Sequence, residues 1–321
     1  MAVCLVCSQK SKLAGELCAC GKAYTVHDDH GDDPLHILGT QIANKFIPVA
    51  VRRDTDSVIY YEAYQPSIDR TVLLVAIKSE WLNSQEKNAY FQNYIDRSAS
   101  IKQQNTLSLL EVQKLSDQKN SFVMIYEALK GESLPAYLSS HTLDPVAIMH
   151  IIHQILQAIA AFHQKGVRFP SLSFSNVHIL RSGGDEVFVK LSNLVETYLS
   201  GYDIISSTDD VYSIGQMALS LITGQPMPIQ QVELSPERAF MLPIAQIFMR
   251  AASPIKDQRY SSCIELLQAF ETAFDLNSHD PNANLPNANA RDSSSKQAIK
   301  RHTPVPLEQV IWMHRPPHLM G

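Results

Sequence analysis

The sequence has little glycine: 12 in 321 residues, and none between Gly39 and Gly131. Backbone N–H groups can close over a phosphate only where side chains do not intervene, so that interval holds no glycine-rich phosphate cradle. Concentrated positive charge is also missing. With 27 Lys+Arg against 32 Asp+Glu, the net charge is −5 and no basic run stands out, which argues against nucleic acid as a main partner. No uninterrupted apolar run approaches the ~18 residues that read as a bilayer span. The N-terminus, MAVCLVCSQK, has neither the charged start nor the long apolar core of an export signal. A cytoplasmic protein is expected, and its 45% hydrophobic content is enough for one large domain with additions.

Cysteine is scarce but concentrated. Four of the five lie in the first 20 residues, as Cys4-Leu-Val-Cys7 and Cys18-Ala-Cys20. Two close thiolate pairs in a reducing compartment suit a tetrahedral structural zinc rather than disulfides. The second pair is tighter than the usual spacing, so His27 or His30 is an alternative ligand to one of its cysteines. A four-cysteine shell leaves no open position for catalysis. Cys263, inside SSCIELLQAF, reads as a small buried apolar residue.

Short β-branched and aromatic runs follow: KFIPVAV (45–51), SVIYYEAY (57–64), TVLLVAIK (71–78) and SFVMIYEA (121–128). They read as strands, with one helix between the third and fourth carrying Tyr90, Phe91, Tyr94 and Ile95. From about 133 the pattern turns helical. Asp144-Pro145 opens an apolar helix that runs to Gly166, with an N-cap and a proline in the first turn. His150 and His153 on it are read as ordinary helix histidines. A hairpin (175–180 and 186–191, turn at Ser182–Asp185) precedes helices over 209–224, 239–252 and 261–274. Beyond that, a Pro/Asn/Ser-rich stretch cannot bury enough apolar surface to offset its chain entropy. The end, TPVPLEQVIWMHRPPHLMG, regains apolar residues around Trp312 and reads as a docking segment or an exposed tail.

This order of elements, with specific words inside it, resembles the bacterial eukaryotic-type Ser/Thr protein kinase family. FVMIYEALKGESLPAYL (122–138) is similar to the family's last N-lobe strand and hinge, and FHQKGVRFPSLSFSNVHIL (162–180) to its catalytic loop. VKLSNLV (189–195) is similar to VKLxDFG, DVYSIGQMALSLITGQPMP (210–228) to its central helix, and SPIKDQRYSS (253–262) to PxxRYxS. The resemblance implies an α+β bilobal protein-kinase-like fold. It implies the family's nucleotide cleft, with Met124 as gatekeeper, Ile125 and Tyr126 in the linker facing an adenine, and Asn176 nearby. The expected division is a zinc-ribbon-like segment (1–34) and a kinase-like domain (40–275, N-lobe to about 128), then a linker (276–303) and a Pro/Trp tail (304–321).

At the catalytic positions the chain departs from the family. The phosphate loop is Arg52-Arg53-Asp54-Thr55-Asp56-Ser57, with two acids that would repel phosphate. VAIK (75–78) spells the lysine motif and offers Lys78, whereas an ungapped match places Val75 there and Tyr94 at the helix glutamate. The base of the catalytic loop becomes Ser171. The metal-binding Asp becomes Asn193, a poor sole ligand for Mg²⁺, and only Asn176 is kept. Phosphoryl transfer rests on these charges, so a degenerate member without catalysis is expected, a scaffold acting on protein partners. Zinc would be structural, and ATP and Mg²⁺ are not expected. If the chain is active, Lys78 and Asn176 would serve.

Overall fold

A computed structural model describes residues 2–4, 10–11, 24–26, 33–115, 121–169, 172–181, 187–192, 194–202 and 208–278. Near the N-terminus three short strands, β1 (Ala2–Cys4), β2 (Lys10–Ser11) and β3 (Tyr24–Val26), form an antiparallel sheet in the order β2-β1-β3. Cys7 falls in the first connection and Cys18 and Cys20 in the second. All three, with His27 and His30, lie outside the described residues.

The first lobe is a five-stranded antiparallel sheet, ordered β4-β5-β6-β8-β7. Its strands are β4 (Ile47–Asp54), β5 (Val58–Gln65), β6 (Arg70–Ile77), β7 (Leu109–Lys114) and β8 (Phe122–Glu127), with helix α1 (Gln85–Ser98) between β6 and β7. Alternation along each strand feeds two cores. Val58, Tyr60, Val75, Ile77, Met124 and Tyr126 point to the helical lobe. Ile59, Tyr61, Leu74, Ala76, Val123 and Ile125 pack under Leu35, Ile37, Ile42 and Phe46 of the preceding segment. Both faces are covered, which is why these strands read as near-continuous apolar runs. Ser84 caps α1, its Oγ accepting from Lys87 N at 3.1 Å.

The second lobe comprises β9 (Glu132–Ser133), α2 (Leu134–Ser140), α3 (Pro145–His163), β10 (Val177–Arg181), β11 (Val187–Leu191), α4 (Leu194–Ser200), α5 (Thr208–Thr223), α6 (Leu242–Ala251) and α7 (Cys263–Ser278). Asp144 caps α3, its carboxylate accepting from Ala147 N at 2.8 Å. Among the described residues, α3 is the one helix long and apolar enough to cross a membrane, and 56% of its apolar window is buried inside the fold. Gly131, where the chain crosses between lobes, has φ +80°, and a Cβ there would lie 2.2 Å from the Ile179 carbonyl oxygen. Only glycine fits both the backbone and the space.

The expected fold class is observed: an α+β, bilobal, protein-kinase-like arrangement. Four elements of the two lobes were not anticipated. Strand β7, LLEVQK, has no fully buried residue to mark it, and β9, α2 and α4 are short. Helix α7 also extends to Ser278, three residues into the segment read as linker. The remaining linker, the tail and the Ser182–Asp185 turn lie outside the described residues.

Candidate functional site

The cleft between the lobes is closed by side chains from both. Val75 sits on β6 between Tyr60 of β5 and Met124 of β8, and is 1% exposed. The Tyr60 hydroxyl donates to Glu196 Oε2 of α4 at 2.8 Å. Arg53, on β4, donates to Glu196 Oε1 at 2.7 Å and lies over the Tyr60 ring. Burial, and then the Glu196 carboxylate, push the Tyr60 phenol far above its ordinary pKa, so it stays a neutral donor. Behind this latch, Tyr198 of α4 stacks on Tyr90 of α1 at 4.3 Å and lies 4.7 Å from the Tyr94 ring. The two hydroxyls of the stack reach each other's backbone: Tyr90 donates to Tyr198 O at 3.1 Å and Tyr198 to Tyr90 O at 3.4 Å. Burial raises the Tyr94 and Tyr126 phenols as well. Tyr94 and Val75, the residues matched above to the family's helix glutamate and strand lysine, both line this region of the cleft.

No open loop follows β4. Thr55 N donates to Val58 O at 2.9 Å and Val58 N to Thr55 Oγ1 at 3.2 Å, closing a tight turn. Lys78 lies just past the end of β6. Its Nζ is 2.7 Å from Asp54 Oδ1, and it is absent from the walls of the cavity described below.

In the second lobe, Asn176 is fully engaged within the fold. Its Oδ1 accepts from Ser173 N at 2.9 Å, and its Nδ2 donates to Ser192 O at 3.2 Å and Thr197 Oγ1 at 3.3 Å. Asp210, fully buried on α5, accepts through Oδ2 from Phe169 N at 2.6 Å and from His163 Nε2 at 2.7 Å. Cys263 N donates to His163 Nδ1 at 3.2 Å, which fixes the proton on Nε2. Arg259 places its guanidinium 4.5 Å from the Tyr212 ring centroid and donates to Ser253 O at 2.7 Å. Ser171 and Asn193 lie outside the described residues. Among the described residues no group of three or more His, Cys, Asp or Glu could hold a metal. His153 meets Glu271 at 2.9 Å and packs against Phe270 and Phe274.

A cavity of about 500 Å³ remains at the rear of the cleft, with Val75, Tyr94, Ser98, Leu109, Tyr126 and Ser192 in its walls. Of the residues expected around a nucleotide, the gatekeeper Met124, the linker residues Ile125 and Tyr126, and Asn176, only Tyr126 lines it. Met124 is buried on the same sheet face without reaching it, and Ile125 points to the opposite core, because alternate residues of a strand face opposite ways. Tyr60, Glu196 and Tyr198 were missed by sequence reasoning, and Arg53 was named only as part of the phosphate loop. Alternation in SVIYYEAY shows that Tyr60 and Tyr61 face opposite ways without showing which faces the cleft. Glu196 gave no signal, since its role depends on an unanticipated helix.

No family model matches the chain. Among curated proteins it is 24% identical over 190 residues to the serine/threonine-protein kinase shk1/pak1 of Schizosaccharomyces pombe, covering 54% of this chain and 28% of that one. It is 22% identical over 209 residues to the serine/threonine-protein kinase PrkC of Bacillus subtilis, covering 59% and 32%. The chain thus spans about a third or less of the length of these relatives. Among solved structures, the Mycobacterium tuberculosis PknI kinase domain superposes with a TM-score of 0.55 at 17% identity, covering 71% of this chain and 96% of that one. The chain has the protein-kinase fold. Within this kinase-like domain, α4 bridges from the second lobe to β4, β5 and α1 of the first.

Proposed function

We propose that this kinase-like chain is catalytically inactive, a pseudokinase that works in the cytoplasm as a scaffold or regulator through contacts with other proteins. The Tyr60–Glu196–Arg53 latch carries the reading. It sets the Glu196 carboxylate and the Tyr60 phenol in the mouth of the cleft and commits the neighbouring cation, Arg53, to Glu196, while Val75 and Tyr94 stand in for the ion pair that would grip a nucleotide's phosphates. A positioned base alone contributes about 10²–10⁴-fold, and here the phosphate and metal clamps are missing too. The cleft residues Met124, Ile125 and Tyr126 are vestigial in this reading, and Asn176 is a structural residue. Of the two candidate lysine positions, Val75 is the one inside the cleft, whereas Lys78 is held by Asp54.

The test is incorporation of labelled phosphate by pure protein, alone and with a generic acceptor such as myelin basic protein. No incorporation above background is expected. Incorporation abolished by Lys78→Met or Asn176→Ala would overturn the reading in favour of an atypical Ser/Thr kinase, the activity named for the curated relatives.

The N-terminal segment completes the proposal as a structural zinc ribbon. The two cysteine pairs fall at the end of β1 and in the connections between β1, β2 and β3, a spacing that suits tetrahedral thiolate ligation. Cys4, Cys7, Cys18 and Cys20 would hold the ion. Metal analysis of purified protein should find about one zinc per chain, lost in a Cys4→Ser, Cys7→Ser double variant. Equal zinc in both proteins would refute it.

A further inference from the structure

We propose that the cavity behind the latch is a binding site for an uncharged, mainly apolar small molecule bearing one polar group. At about 500 Å³ it is within the range of small-ligand pockets. A small buried residue lies in its wall. α1 places Phe91 and Tyr94 in the core, and its last residue, Ser98, is buried and lines the cavity. Leu73, Val75, Leu191 and Leu194 supply apolar walls, no carboxylate lines it, and the one charged residue among its walls, Lys102, is exposed.

A second observation points to a ligand. Ser192 lines the cavity at 1% exposure, and its hydroxyl has no hydrogen-bond partner among the described residues. Its backbone is already committed, the N–H donating to Asn176 O at 2.8 Å and the carbonyl accepting from Asn176 Nδ2. An unsatisfied buried hydroxyl is costly, and a guest with a single donor or acceptor would satisfy it. A nucleotide does not fit this chemistry: its phosphates would meet Glu196 and the Tyr60 ring, and the adjacent Arg53 guanidinium is already committed to Glu196. The proposal concerns the rear of the cleft and holds independently of whether the chain catalyses.

The probe is N-phenyl-1-naphthylamine, an uncharged fluorophore with one N–H. Full-length protein should give a saturable, single-site fluorescence rise and a higher melting temperature, with no displacement by ATP and Mg²⁺. Ser98→Leu, which pushes a larger side chain into the cavity, should weaken binding about tenfold or more while keeping the circular dichroism spectrum. Should that variant fail to fold, methyl NMR of the wild type replaces it, with shifts expected at Leu73, Val75 and Leu191. No saturable rise, displacement by ATP, undiminished binding in a folded Ser98→Leu, or methyl shifts confined to other residues would each overturn the site.

Discussion

Asp210 shows how much of this fold hangs on single polar groups. Its Oδ2 takes two short hydrogen bonds, from the Phe169 amide and His163, while its Oδ1 has no partner among the described residues. The residue after Phe169 is Pro170, which has no N–H to offer. Asp210→Ala should leave the Phe169 and His163 donors without an acceptor in a buried place. The expected loss is about 3 kcal/mol or more, read as a lower urea midpoint. Lys78→Met, at a partly exposed pair with Asp54, should cost about 1 kcal/mol or less; a larger loss would mean that Lys78 does more than pair with Asp54. The tyrosines add a pH dependence. Tyr60, Tyr90, Tyr94 and Tyr126 are all raised above their ordinary value, chiefly by burial. A phenol raised in the folded state favours folding while it is neutral, and that contribution is lost as pH rises past the unfolded value of about 10. Melting temperature should therefore fall steeply above about pH 10, and Tyr94→Phe should flatten that fall. An unchanged slope would contradict the role given to burial.

Helix α4 decides the character of the cleft, and it was the element hardest to read in advance. The resemblance placed VKLSNLV (189–195) at the metal-binding motif. Nothing in LVETYLS marks a helix, because its buried residues are dictated by partners on α1 and β5 that lie about a hundred residues away in sequence. The long apolar helix α3, with its Asp144 cap, was legible because its signals are local. So were the strands, apart from β7, whose mixed LLEVQK pattern reflects half-buried positions at the sheet edge. Of the candidate site, Val75 and Tyr94 were found by ungapped matching to the family, whereas Tyr60 and Glu196 required the fold. Tyr198 is 6% exposed, stacked on Tyr90 and tilted against Tyr94. Tyr198→Ala should destabilise by about 3 kcal/mol, and hydrogen exchange should show α1 and α4 opening together. Separate opening would contradict α4 as the element that locks the cleft.

The two lobes are joined at several points beyond the latch. Lys190 on β11 reaches Glu127 on β8 at 2.7 Å and Thr106 O at 3.1 Å. Burial disfavours ionised Glu127, but the Lys190 ammonium and Ser108 outweigh it and hold the carboxyl below its usual range. Asn105 bonds Gln154 on α3 at 2.8 Å and Val189 O at 3.0 Å. Arg97, near the end of α1, donates to Gly166 O at 3.1 Å. Kinase chemistry needs a cleft that admits a nucleotide with its metal, and here one core runs through it from Tyr60 to α5. Such a body suits presenting fixed surfaces to a partner. The central claim is that this cleft does not take ATP, and thermal unfolding with and without Mg²⁺ tests it most directly. A ligand at about 100 times its Kd stabilises by about 2.7 kcal/mol, which displaces the transition by a few degrees for a domain of this size. The account predicts the same melting temperature at every ATP concentration, with or without Mg²⁺. A concentration-dependent rise, greater with Mg²⁺, would contradict it.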